Sequence, residues 1–164
     1  MIEDVLYDLR ETKAFLGNLS NRQYGQRIEL LSGSSIGMHL RHIIEFYQAT
    51  LLNASQICYD TRQRNLQLEQ DLQFSIQTLD SMIDTIAASQ NDRSIALTIN
   101  ITRGNTPLTL NSSFYRELFY CVEHSIHHKA IIKIGVIAMG LEGTVLPEFG
   151  VAPATIQFHA AQHA

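Results

Sequence analysis

Between Phe114 and Met139 an apolar or small residue returns at alternating intervals of four and three: Phe114, Leu118, Cys121, Ser125, His128, Ile132, Gly135 and Met139. A stripe with that spacing keeps to one side of an α-helix and has to be buried against other helices. Ser112 or Ser113 offers the N-cap, and Gly140 or Gly143 the stop. Three more segments carry the same period. Ile2, Val5, Leu6, Leu9 and Leu16 mark a first helix that stops at Gly17-Asn18. Ile36, Leu40, Ile43, Tyr47, Leu51 and Ala54 mark a second, capped by Ser34 or Ser35 and running to about Ile57. Leu68, Leu72, Ile76, Leu79, Ile83 and Ile86 mark a third, ending near Ser89. The period changes once. Ile95, Leu97, Ile99 and Ile101 alternate, "RGNTP" turns, and Leu108 and Leu110 alternate again, which predicts a β-hairpin. These patterns predict an all-α fold: a four-helix bundle with a small β-hairpin between helices three and four, in a single domain over residues 1–164. The tail "LPEFGVAPATIQFHAAQHA" shows no period.

Composition narrows the function classes. With 164 residues, 45% of them hydrophobic and 17% charged, the chain is long and apolar enough for one globular core. A formal net charge of −4 with no block of Lys or Arg argues against a nucleic-acid partner, whose phosphates would demand one. The longest apolar run, Ala130 to Leu141, is too short to cross a bilayer and is interrupted by Lys133, so no membrane partner is expected. The opening "MIEDVLYDLR" is acidic and lacks the basic and apolar regions of a secretory leader. Cys58 and Cys121 form no CxxC, and a cytoplasmic location is expected.

The histidines are unevenly distributed. Five of the seven fall into two groups: His39 and His42 in "GMHLRHIIEF", and His124, His127 and His128 in "EHSIHHKAII". Residues four apart on a helix share a face, so His124 and His128 lie one turn apart with an angular offset of roughly 40°. Two imidazoles so placed reach a single ion, which is the spacing of many zinc sites; imidazole also suits nickel, copper and iron. His127 points about 100° away from His128 and is expected outside the ligand set. On helix two the wheel centred on Ile36, Leu40, Ile43 and Tyr47 places His39 nearer the buried seam than His42.

The segments "IGMHLRHIIEFY", "YDTRQRNLQLEQD", "SSFYRELFYCVEHSIHHKAII" and "LPEFGVAPAT" together resemble the DinB-like proteins of the DinB/YfiT superfamily, over about Ser35 to Thr155. The resemblance implies a four-helix bundle with a long crossover. It also implies a divalent metal, zinc or nickel, held by one histidine of the second helix and the HxxxH pair of the last long helix. Carried onto this chain, the ligands are His42, which matches that pattern in "RHII", with His124 and His128. The wheel favours His39 for the helix-two position, and His39 is otherwise a pocket residue beside the ligands. Three protein ligands leave a position open for water or substrate. Relatives of this kind include enzymes that use low-molecular-weight thiols. The implied function is therefore a metal-dependent thiol S-transferase acting on a small electrophile, with a metal-dependent hydrolase or a non-enzymatic metal-binding stress protein as the alternatives.

Other residues are placed to support such a site. Glu45 follows His42 by three residues and is a candidate to orient an imidazole, or else an ordinary carboxylate facing solvent. Tyr59, Arg62 and Arg64 lie just beyond helix two; the arginines are candidates to grip a carboxylate of substrate or thiol, or else to form a structural salt-bridge cluster with Glu117. Cys121, on the seam, reads as a buried small hydrophobe. His159 and His163 are expected to face solvent. Metal release is expected as pH falls through about 6.5, the ordinary histidine value. The partners expected are a small-molecule substrate and a second copy of the chain: helix one has a single apolar face, and relatives of this kind often pair through bundle helices.

Overall fold

The computed structural model describes residues 1–52, 55–89, 91–100 and 106–162. Each of the four periodic segments forms a helix over much of its length. They become α1 (Ile2–Leu16), α3 (Ile36–Leu51), α5 (Leu72–Ala87) and α6 (Phe114–Ala138). Shorter helices fill the connections and the tail: α2 (Asn21–Gly25), α4 (Gln67–Gln70) and α7 (Pro153–Gln162). Three strands, β1 (Gln56–Ile57), β2 (Ser94–Ile99) and β3 (Leu108–Ser113), form a sheet in the order β1-β2-β3. The all-α four-helix bundle with only a hairpin is therefore corrected. The described chain has seven α-helices and a three-stranded mixed sheet, in which β1 runs parallel to β2 and β3 antiparallel.

Local chemistry explains most of the boundaries. Ser35 Oγ accepts from Met38 N at 3.1 Å to open α3, Asp71 Oδ1 from Phe74 N at 3.0 Å to open α5, and Ser113 Oγ from Arg116 N at 3.4 Å to open α6. Helix α6 is closed just beyond its end by Gly140, with φ of 68°, where Gly140 N donates to Ile137 O and Leu141 N to Val136 O, both at 3.0 Å. Those two bonds satisfy carbonyls the helix would leave bare, and glycine supplies the left-handed turn without strain. Two expected boundaries move. Helix α3 stops at Leu51 instead of continuing to Ile57, because Ile57 is taken by the sheet, where it pairs with Leu97 and is buried. The third periodic segment is split at Asp71, so that Leu68 belongs to α4 and the longer helix begins at Leu72. The turn expected at Arg103–Pro107 falls largely outside the described residues.

The core gathers Leu9 and Leu16 of α1, Ile36, Leu40, Ile43 and Ile44 of α3, Leu79 and Ile86 of α5, and Leu118, Ile132 and Val136 of α6. Helix α3 packs directly against α6, α4 and α5. The approach to α4 is close: a Cβ added at Gly37 would sit 2.3 Å from the Glu69 carbonyl oxygen and 2.8 Å from the Tyr24 ring, so only glycine fits there. No described helix is long and apolar enough to cross a membrane.

A lysine sits in the middle of the buried face of α6. Lys129 is 1% exposed, and its Nζ donates to Asp8 Oδ1 at 2.7 Å, Asp8 O at 2.9 Å and Glu11 Oε2 at 2.9 Å. Asp8, also buried, accepts from Tyr47 Oη at 3.0 Å and Ser125 Oγ at 3.2 Å. This network ties α1, α3 and α6 together at one level of the core. Removing one partner strands the other charge away from water. Lys129→Ala is expected to lower unfolding stability by about 3–5 kcal/mol, measured by denaturant titration; a loss below about 1 kcal/mol, the range of exposed pairs, would show that the network is not a core element.

Candidate metal centre

Helices α3 and α6 form the walls of the site. His42 comes from α3, one position before the buried pair Ile43-Ile44, and so projects from the flank of that helix. On α6, Lys129 holds the centre of the buried face, which leaves His124 and His128 on its flank and only half-buried. The three rings form a near-equilateral triangle, with centroids 4.9 Å apart for His42 and His124, 4.6 Å for His42 and His128, and 4.7 Å for His124 and His128. One nitrogen from each ring lies within 4.8 Å of the other two. His127 is exposed and lies outside the triangle, meeting the edge of His128 with centroids 5.3 Å apart and stacking on His124 at 6.4 Å.

The donor set fits a divalent cation of the zinc class. Imidazole nitrogens bind zinc at about 2.0–2.1 Å, so two ligands of one ion stand no more than about 4.2 Å apart. In a tetrahedral shell such nitrogens stand about 3.4 Å apart, so atoms up to 4.8 Å apart close on one ion by approaching one another by about 1.4 Å at most. His124 Nε2 is buried and has no hydrogen-bond partner, which is costly for a polar atom unless something occupies its lone pair. The protonation states also suit coordination. Burial, then the charges of Arg62 and the neighbouring His124, pull His42 down to about 4. Burial, then His127 and Arg62, lower His124 to about 4; burial, then His42 and His124, lower His128 to about 3.

His39 sits beside this triangle rather than in it. Its Nδ1 is 2.9 Å from Nδ1 of His128, so one ring donates and the other accepts. Its Nε2 is buried without a partner, and burial lowers its pKa. The nitrogens of His42, rather than those of His39, close the triangle with the HxxxH pair. The wheel pointed to His39 because it measures distance from the buried seam, whereas the site opens along the flank of α3.

Around the triangle the polar connection after α3 folds back over its own helix. Arg62 NH2 donates to His42 Nδ1 at 2.8 Å, and its NH1 donates to the Tyr59 carbonyl at 2.8 Å. Its Nε stands 3.3 Å from Glu45 Oε2; hydrogen-bond alignment is lacking there, so charge rather than direction holds that contact. Glu45 is 1% exposed and also meets Arg41 at 3.3 Å and the Asn65 backbone N–H at 2.9 Å. Glu45 is therefore neither solvent-facing nor in contact with an imidazole; it reaches His42 through Arg62. The salt-bridge partner of Arg62 is Glu45, while Glu117 takes Arg116 and the Tyr59 hydroxyl. With its fork turned onto the protein, Arg62 is not free to grip a substrate carboxylate in this arrangement. Arg64 is exposed and lies near enough for its charge to act on His42 and Arg62. Tyr59 stacks on Phe46, with centroids 4.7 Å apart and planes 7° apart, and Phe46 in turn stacks on His124 at 4.3 Å. Cys121 is buried against Thr50 and pushed up to about 12 by burial, which rules it out as a thiolate nucleophile. His159 is exposed on α7, and His163 lies outside the described residues.

A groove of about 620 Å³ lies on the other side of the Arg62–Glu45 pair, between α3 and α5, with Phe74, Thr78 and Met82 on its far wall. It contains none of the histidines. The residues that sequence reasoning missed are Arg41, which joins Glu45 to Glu69, and Lys129. Arg41 and Glu45 are four apart on one helix, a spacing that signals a pair.

No family model matches the chain, and no solved structure matches it. Among curated proteins the chain is similar to FK506-binding protein 5 of Rhizopus delemar, with 37% identity over 103 residues, 60% of this chain and 26% of the relative. The chain thus spans about a quarter of the length of the curated relative it matches, and a stretch of that extent does not assign it to a family.

Each of His42→Ala, His124→Ala and His128→Ala is expected to remove most of the zinc or nickel bound by the purified protein, while His159→Ala leaves it unchanged; elemental analysis checks both. A second expectation concerns pH. A histidine whose folded pKa is depressed refuses protons that the unfolded chain accepts below about 6.5. Metal-free protein should therefore lose stability as pH falls from about 6.5 toward 4. NMR titration should find His42 and His124 half-protonated near 4, so that release of metal by protons shifts below the ordinary histidine value. Midpoints at about 6.5 would mean that the rings are solvated and the triangle is not formed.

Proposed function

We propose that the chain binds one divalent metal ion, zinc or nickel, through His42, His124 and His128, and that the loaded site serves transfer of a low-molecular-weight thiol to a small electrophile. The observation that carries the reading is the triangle of neutral, half-buried imidazoles with a buried, unpartnered nitrogen on His124. The resemblance to DinB-like proteins supports the choice of reaction. A cation held by three imidazoles keeps a position open, where it lowers the pKa of a bound thiol or water.

The chain's own side chains fit the remaining tasks. Phe46 and Tyr120 wall the site beside His124, with centroids 4.3 and 5.8 Å from its ring, and limit water on that side. Cys121 is too well buried to supply a nucleophile, so the sulfur comes from the co-substrate. In the transfer, that sulfur forms the new S–C bond, the leaving group departs with its bonding pair, and the thiol proton passes to solvent. The exposed Arg64 is the guanidinium near the site available to meet an acidic arm of the thiol. A small molecule is the partner in this reading, with no role for nucleic acid or membrane. The two free cysteines suit a cytoplasmic location. A homodimer is part of the proposal, and light scattering that returns a species of about 18 kDa, the 18.5 kDa monomer, at tens of micromolar would remove it.

The test is turnover by metal-loaded protein across a panel of thiols and electrophiles. The expected outcome is turnover that needs both added thiol and metal, with Arg64→Ala raising KM for thiol more than it lowers kcat. Equal turnover with and without thiol would replace the transferase with a metal-assisted hydrolase. A metal-loaded protein inert across the panel would leave a metal-binding protein without catalysis.

A further inference from the structure

A neutral imidazole has one basic lone pair; its other nitrogen carries the proton. Arginine has only N–H donors and stays charged. The 2.8 Å contact from Arg62 NH2 to His42 Nδ1 therefore uses the lone pair of His42 and leaves the ring proton on Nε2. A metal ion needs that same lone pair. If Nδ1 is the ligating nitrogen, Arg62 occupies its place. If Nε2 is, the proton has to move to Nδ1, where it would face an Arg62 N–H. Ligating histidines ordinarily donate their second N–H to a carboxylate, carbonyl or water. Here the second nitrogen meets a donor instead.

We infer that Arg62 competes with the metal for His42, so that the three-histidine centre loads only when the Arg62–His42 bond is released. This rests on the metal-binding reading above. The surroundings give the released guanidinium a place to stay. Glu45 holds it through Nε at 3.3 Å and the Tyr59 carbonyl through NH1 at 2.8 Å, and neither contact involves His42. Arg62 and Glu45 also line the 620 Å³ groove, so the NH2 arm has open space to turn into. The other two histidines are not restrained in this way. His124 Nε2 has no partner, and the contact of His128 is to another imidazole, which can accept as well as donate. The centre is thus two ligands ready and one latched, and the latch is a side chain rather than a backbone rearrangement.

The consequence runs opposite to the usual effect of removing a residue beside a metal site. Competitive titration of zinc against a chromophoric chelator should show Arg62→Met binding about tenfold more tightly than the wild type, as loss of a charge-assisted hydrogen bond implies. Arg62→Lys keeps a cation for Glu45 but lacks the fork that spans Glu45 and His42, and it too should bind more tightly. Unchanged affinity in Arg62→Lys with tighter binding in Arg62→Met would assign the effect to charge alone and overturn the lone-pair competition. Equal or weaker binding in both variants, with unfolding midpoints showing that they are folded, would overturn it as well. Wild-type protein needs no substitution for the second measurement. Long-range ¹H–¹⁵N spectra of the metal-free form should show His42 with its proton on Nε2, and a proton on Nδ1 would overturn the inference even if the variants fail to fold. Zinc binding that is absent from wild type and both variants, with His42 carrying its proton on Nε2, would instead sink the metal reading while leaving the Arg62–His42 bond in place.

Discussion

A lysine removed from water has to find carboxylates, and the contact of Lys129 with Asp8 and Glu11 fixes how α6 sits on the rest of the chain. Lys129 occupies the middle of the buried face of α6, between Ser125 and Ile132. Rotating the helix to bury His128 instead would carry the ammonium out of the buried face and away from Asp8 and Glu11. The histidines therefore end on the flank that faces α3, half in contact with solvent, where a ligand can reach them. Gly150 reinforces the arrangement from outside. It has φ of 73°, and a Cβ there would come 2.4 Å from the backbone nitrogen of Ala130, so the segment after α6 lies directly against the turn that carries Lys129.

The second constraint is the burial of Glu45. Its carboxylate draws in Arg41 from its own helix, and Arg62 and the Asn65 backbone from the connection that follows. That connection has little apolar content, and its place over α3 comes from these charges together with the stacking of Tyr59 on Phe46. The same contacts bring a cation against His42. Structure and site are coupled here: the group that pins the loop is also the group that contests the histidine. Burial of the rings is the largest influence keeping the three pKa values low, and positive neighbours act in the same direction on a base, Arg62 among them for His42 and His124.

Much of this was legible in the sequence, and the parts that were not have definite causes. Helix α1, the Ser35 and Ser113 caps and the β2–β3 pair announce themselves because each depends on local periodicity or a single capping side chain. The triangle was legible because two of its members are four apart on one helix and the third lies in a second histidine group. Strand β1 is two residues long and has no period to detect; β2 specifies its pairing. Helix α7 buries no residue, so there was no apolar stripe to reveal it, and the tail read as irregular. Lys129 gave no signal in the sequence because its partners, Asp8 and Glu11, are more than one hundred residues away in the chain. The choice between His39 and His42 turns on which side of a helix lines a cleft, and a helical wheel records only which side is buried.

The central claim is that three imidazole nitrogens, from His42, His124 and His128, hold one metal ion. X-ray absorption spectroscopy of the zinc-loaded protein examines the ion's own neighbours. The account predicts three nitrogen scatterers with the multiple-scattering pattern of imidazole at about 2.0–2.1 Å, with one further light atom or an added thiol sulfur completing the shell. A shell with a protein sulfur at about 2.3 Å in the absence of thiol, or one made of oxygen alone, would contradict it.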